Sequence, residues 1–203
     1  PNGVGQNATI DTGVTVNLDS SRTVTDLIIG SGDQLIFDPG DDLTVLGSIL
    51  NNGTIFIDGS PSAFTVLNIP TGAPGVTIDG SGTIRLGGGL AQISSSGLLT
   101  NTADHTIIGA GAFGRNTLGI SNAGLIQADG GILTVDPSFA QGLTNTGTLQ
   151  SINGGTLSLT GSGGGVFTNT GGTIEALAGS QVRFSTGARI TGGILDTTGT
   201  GEI

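Results

Sequence analysis

Residues 143–159 read LTNTGTLQSINGGTLSL: a short run, an Asn-Thr-Gly corner, a second run, a Gly-Gly corner and a third run. Residues 120–135, ISNAGLIQADGGILTV, and 166–184, VFTNTGGTIEALAGSQVRF, repeat the plan on either side. Self-similarity at a period of about twenty-odd residues marks a solenoid, in which each unit covers its apolar face only by stacking on its neighbours.

The corner residues form one series: Gly30, Asn51, Gly80, Asn101, Asn122, Asn145, Asn169 and Gly192, at intervals of 21, 29, 21, 21, 23, 24 and 23. Two positions before each stand Ile28, Ile49, Ile78, Leu99, Ile120, Leu143, Phe167 and Ile190. All are large and apolar in a chain that is only 35% hydrophobic, so this column is the expected inward spine. A second column follows the corner: Ile55, Ile84, Ile126, Leu149 and Ile174. The next residues, Phe56, Arg85, Gln127, Gln150 and Glu175, are mostly polar, which is strand alternation of inward and outward side chains. A third column carries the pairs Leu43/Val45, Phe64/Val66, Leu133/Val135, Leu157/Leu159 and Val182/Phe184, with Thr44, Thr65, Thr134, Ser158 and Arg183 between them and expected to face outward.

Three short strands per turn, each paired with its counterpart one turn away, predict an all-β chain folded as a right-handed parallel β-helix, a β-solenoid. The hand follows from the rule for parallel crossovers. About eight or nine turns spaced by about 4.8 Å give a rod roughly 40 Å long. Residues 1–203 are read as a single β-solenoid domain, either a segment of a longer chain or the subunit of a filament. Two stretches break the rhythm and are expected to be loops: 68–75, with Pro70 and Pro74, and 103–116, with His105, Phe113 and Arg115.

Glycine supplies 40 residues, yet the apolar positions return at fixed intervals, which favours an ordered repeat over a disordered chain. Seven Phe are the only aromatics, as a thin core of stacked Ile, Leu and Val allows. With no Cys there is no disulfide or thiolate metal site, and an oxidising, extracellular setting is compatible. Five Arg, no Lys and fifteen acidic residues leave a net charge of −10, so nucleic acid and anionic membrane surfaces are not expected partners. No apolar run reaches the roughly 18 residues of a spanning helix, so membrane insertion is not expected. Pro1-Asn2-Gly3 does not read as a signal peptide.

Few residues suggest chemistry. Asn51, Asn101, Asn122, Asn145 and Asn169 are read as a structural ladder, because Asn tolerates corner backbone and stacked amides bond to one another. Asp38, Asp41 and Asp42 form the densest acidic group and are the calcium candidates, against the commoner role of turn-forming Asp. Gly30-Ser31-Gly32-Asp33 faintly resembles a calcium-binding nonapeptide repeat, once and one residue short. His105, the only histidine, with Asp104 beside it and Arg115 in the same stretch, is the best catalytic candidate, set against the commoner reading of a solvated loop histidine. Thr44, Thr65 and Thr134 raise ice binding, but their row is interrupted. No cofactor and no enzymatic activity are expected.

The corner N-x-G-T-[IL] followed by G-G-x-L-x-[VL], clearest at 122–159 and 169–184, resembles the β-helical passenger regions of large bacterial surface proteins, autotransporter adhesins and filamentous-haemagglutinin-like exoproteins. The resemblance implies export, a bacterial cell-surface or extracellular rod, and adhesion. Pectate lyases and polygalacturonases, enzymes on such a fold, rely on Asp clusters with Arg, Lys or His on one outer face, and no such cluster is found here. The leading expectation is a structural rod or filament segment in a surface adhesin, fibre or matrix. Its partners are copies of itself end to end or further repeats of the parent chain, and surface glycans. The alternative is a carbohydrate-binding or polysaccharide-degrading coil that uses the loops 68–75 and 103–116.

Overall fold

The computed structural model describes residues 5–59, 61–72 and 74–203; Pro1-Asn2-Gly3 and, within the loop 68–75, Ala73 lie outside the described residues. Every strand pairing in the ladders is parallel. The first face is a nine-stranded ladder from Ala8–Ile10 to Arg189–Thr191, passing through Ser48–Asn51, Leu98–Asn101, Gly119–Asn122 and Leu143–Asn145. The second face runs from Thr15–Leu18 to Ile194–Thr197, and the third from Arg22–Val24 to Gln181–Ser185. Chain order visits the three faces in turn, so the ladder neighbours are one coil apart in sequence and the chain is a parallel β-solenoid of about eight turns.

Alternation explains why these residues form these strands. Thr54–Ile57 buries Ile55 and Ile57, and Thr148–Ile152 buries Leu149 and Ser151. Stacking in register carries the pattern along the axis: Ile55 lies beside Ile84, Ile84 beside Ile107, Ile126 beside Leu149, and Leu149 beside Ile174. These side chains form one continuous core with no solvent exposure at most positions. Each stabilises the coil by about 1.5–3 kcal/mol, less where the unfolded chain already hides some surface.

The stretch 103–116 is mostly strand, not loop. Thr106–Phe113 alternates buried Ile107, Gly109, Gly111 and Phe113 with half-buried partners. In this coil and its two neighbours, one long bent strand serves both the second and the third face. The bend needs glycine: Gly109 has φ +123°, and a Cβ there would strike the Leu86 backbone of the preceding coil. Gly- and Ala-rich sequence therefore signals a bend in a strand here, where composition alone suggests a loop. The stretch 68–75 behaves as expected after Asn68, with Thr71, Gly72 and Pro74 exposed.

The inward spine holds for Ile49, Ile78, Leu99, Ile120, Leu143 and Phe167, all buried. Ile28 does not belong to it. The pairs are Leu27 with Ile49 and Ile29 with Asn51, so Ile28 points outward, 37% exposed. The anchor Gly30 is one residue late, and a one-residue error reverses every side chain in a strand. At Ile78 the ladder slips by two, pairing it with Ile49 on one side and Asn101 on the other, while Val76 takes the place beside Leu99. A slip of two keeps the face, so both Val76 and Ile78 are buried. Ile190 is only half-buried, because its coil is the last one described.

The third face departs from the expected pairs at two places. Leu43 pairs with Leu67, and Thr65 and Leu67 are the inward residues, so Phe64 stands exposed. Thr65, expected to face outward, is buried and its hydroxyl donates to the Asp58 carbonyl at 2.7 Å, which ends any continuous outward threonine row. Phe184, in register with Leu159, is exposed for the same reason as Ile190. The register makes one direct test. Ile28→Thr is expected to shift stability by less than about 1 kcal/mol, read from the denaturation midpoint, because it removes no packed volume; a larger loss would place Ile28 inside.

Candidate functional site

The asparagine corners are buried and act as a single file. Asn101 Nδ2 donates to Asn122 Oδ1 at 2.8 Å, Asn122 Nδ2 to Asn145 Oδ1 at 2.7 Å, and Asn145 Nδ2 to Asn169 Oδ1 at 2.7 Å. The same amides reach a carbonyl in their own corner, Gly124 at 3.0 Å from Asn122 and Gly147 at 3.1 Å from Asn145. This accounts for the N-x-G motif. A Cβ at Gly124 would collide with the Asn101 amide nitrogen and with the His105 and Thr102 carbonyls, so the third residue of the corner must be bare.

The file has a gap in the coil of Val76–Asp79, which carries no asparagine and places Ile78 beside Asn101. His105 bridges it. Thr106 is in register with Leu125 and with Thr83, so His105 occupies the corner position of Gly124 in the next coil and of Gly82 in the one before. Its Nδ1 lies 2.8 Å from Asn101 Oδ1 and its Nε2 3.0 Å from Asn51 Nδ2. Asn51 Oδ1 is engaged by the Gly53 N–H at 3.2 Å, so Asn51 offers the imidazole a donor. His105 is therefore the neutral tautomer, donating from Nδ1 and accepting at Nε2. Burial pushes its pKa down to about 4, with the Asp79 charge acting weakly the other way. His105 is not the solvated loop histidine expected, nor is it joined to Arg115: the two lie beyond opposite ends of Thr106–Phe113. Asp104 stays exposed.

The acidic candidates are turn residues. The Asp41 N–H donates to the Asp38 carbonyl at 3.0 Å, and Asp42 Oδ1 accepts the Val66 N–H of the next coil at 2.9 Å. Burial raises the Asp42 pKa, opposed by that hydrogen bond and one from Asn68. Among the described residues no three acidic, His or Cys side chains gather into a metal-sized group. Gly30-Ser31-Gly32-Asp33 is a corner in which the Asp33 N–H donates to the Gly30 carbonyl and Asp33 Oδ1 accepts the Val14 N–H at 2.6 Å.

Two outer features were not legible beforehand. Arg85 pairs with Asp129 at 3.3 Å across the second face, and Asp129 also accepts from Asn153 at 2.8 Å; an exposed pair of this kind contributes little to stability. On the third face, Ala112, Arg115, Asn116, Thr134, Asp136 and Ser162 line an open cleft of about 330 Å³. Phe139, 74% exposed, lies against Gly164, two residues from Ser162 of this cleft, and a large apolar residue in the polar turn PSFAQG is its one signal in the sequence.

The described coil is open at both ends. An apolar hollow of about 340 Å³ is lined by Ala8, Ile10, Val16, Leu18, Val24 and Leu27, among others, at one end. At the other, Ile194 and Leu195 are exposed on the last strand of the second face. No family model, curated protein or solved structure matches the chain.

Proposed function

We propose that the chain is a structural segment of an extracellular β-solenoid rod, part of a bacterial surface adhesin, fibre or matrix, joined end to end by further coils. The observation that carries this reading is the pair of open ends. Strands Thr15–Leu18 and Ile194–Thr197 stand at the edges of the second-face ladder, beside uncovered Ile, Leu and Val side chains. Unpaired N–H and C=O groups flanking apolar surface are a template for another strand. A further coil, from repeats of the parent chain or from a second copy, matches that template in spacing and polarity. The repeated motif, the absence of Cys and the few basic sites open to trypsin-like proteases agree with a surface fibre.

Electron microscopy with sedimentation over a range of concentrations tests the reading. Linear particles that lengthen with concentration are the expected result, and Leu195→Lys should shorten them by placing a charge on the stacking face. Dispersed monomers at every concentration would count against end-to-end assembly of copies.

A further inference from the structure

We propose that the cleft beside Arg115 binds a neutral saccharide. The inference does not rest on the rod reading. It starts from how one turn gathers residues from three coils. Ser162, Gly163 and Gly164 are consecutive, and each touches a different neighbour. The Ser162 hydroxyl donates to Asp136 Oδ2, and its N–H to Asp136 Oδ1 at 3.2 Å. A Cβ on Gly163 would overlap the Asn116 carboxamide, and one on Gly164 would press on the Phe139 ring. Carboxylate, amide and ring thus stand side by side along about three residues of chain, roughly 10 Å.

Two of the polar groups are open to a ligand, while the Ser162 hydroxyl proton and the Asp136 carboxylate engage each other. The Asn116 carboxamide makes no hydrogen bond among the described residues, and Arg115 has no carboxylate partner there. The Arg115 guanidinium instead lies 5.6 Å from the centroid of the Phe64 ring, which belongs two coils back, on the side away from Asp136 and Ser162. Arg115 and Asn116 both have positive φ, +50° and +61°. The Asn116 N–H is fixed to the Asp136 carbonyl at 2.7 Å, so the two side chains are displayed from a pinned turn. Consecutive non-glycine residues held this way are a mark of functional turns.

The donor set decides the ligand class. Sugar rings present an apolar C–H face and a rim of hydroxyls that both donate and accept. An exposed phenyl ring suits the first; an amide, a hydroxyl, a carboxylate and a guanidinium suit the second. An anionic sugar or phosphate would meet Asp136 in the cleft and a chain of net charge −10. Asp136 is the one carboxylate lining the cleft, whereas glycoside hydrolysis ordinarily takes a pair, so the site binds without cleaving. Its volume is at the small end of ligand pockets, about 300–1,000 Å³, which suits a short segment of a glycan chain.

The test is a titration of isotope-labelled protein with neutral gluco-, manno-, galacto- and xylo-oligosaccharides at millimolar concentration, with an oligouronate as the charged control. Amide shifts confined to 115–116, 136–139 and 162–164 for at least one neutral sugar are expected. Phe139→Ala should weaken that binding roughly tenfold, since aromatic anchors dominate small sites. Asn116→Gly relieves the positive φ and keeps the fold, and should also weaken binding. Silence from every neutral sugar, shifts elsewhere on the coil, preference for the uronate, or unchanged binding in Asn116→Gly would each overturn the proposal. None of these results bears on whether the coils assemble end to end.

Discussion

Between about pH 6.5 and pH 4 the coil is expected to lose roughly 3 kcal/mol of stability through His105 alone. The folded protein holds this imidazole neutral because burial lowers its pKa from 6.5 to about 4. The unfolded chain has no such constraint and takes up a proton first as the pH falls. Stabilisation is therefore complete above about 6.5, declines through the window and falls no further below about 4. The structural cause is the donor on each side of the balance: a protonated Nε2 would face Asn51 Nδ2, also a donor, with Asn51 Oδ1 already engaged by Gly53. Asp42, whose pKa burial raises, works in the opposite sense and favours the fold as the pH falls. Asp79, held below the usual range by the Gly80 N–H and the Thr102 hydroxyl, loses its contribution only under more acidic conditions. Denaturant midpoints measured across the window, for the native chain and for His105→Gln, separate the two. The native chain should show the steeper decline, although His105→Gln starts from lower stability at pH 7. Parallel declines would show that His105 is not the group responsible.

Much of the architecture was legible because strand alternation and repeat length reinforce each other. From Ile120 onward the corner N-x-G recurs with little variation, and there the expected columns match the observed register. One departure comes where a corner lacks Asn. At Gly30 the corner offers no Asn as a reference, so the spacing sets the strand one position late and turns Ile28 inward. The region 103–116 misled through composition, because Gly and Ala that permit a bend in one long strand look the same in a list as Gly and Ala in a loop. His105 was missed for a related reason. Its role depends on a vacancy in the preceding coil, and a side chain that replaces a missing neighbour has no motif of its own. The clue was positional: the coil without Asn lies between Asn51 and Asn101, and the one histidine follows four residues later. The cleft was harder still, since Asn116, Asp136, Phe139 and Ser162 come from three coils and meet only after stacking.

Asn145→Asp is expected to be the most damaging single-atom change in the chain, costing about 3–5 kcal/mol at neutral pH. The substitution is nearly isosteric, so packing cannot account for the loss. It acts on the direction of hydrogen bonding. Asn145 accepts from Asn122 and donates to Asn169 Oδ1 and to the Gly147 carbonyl, and it is fully buried. An aspartate keeps the first bond but turns one acceptor toward two oxygens, with a charge that nothing nearby neutralises. Because bonds along a buried chain polarise one another, the break weakens the links on either side as well. Protonating the new carboxyl restores one donor and removes the charge, so the penalty should shrink as the pH is lowered, opposite in sign to the trend from His105. Asn169→Asp should cost less, since no asparagine follows it in the file and its amide donates only to carbonyls, at 3.2 Å to Gly172 and 3.4 Å to Ile194. Thermal midpoints of the two variants at neutral and acidic pH settle the matter. Should Asn145→Asp prove no worse than Asn169→Asp, or its penalty deepen in acid, the asparagines are independent corner residues and not one connected file.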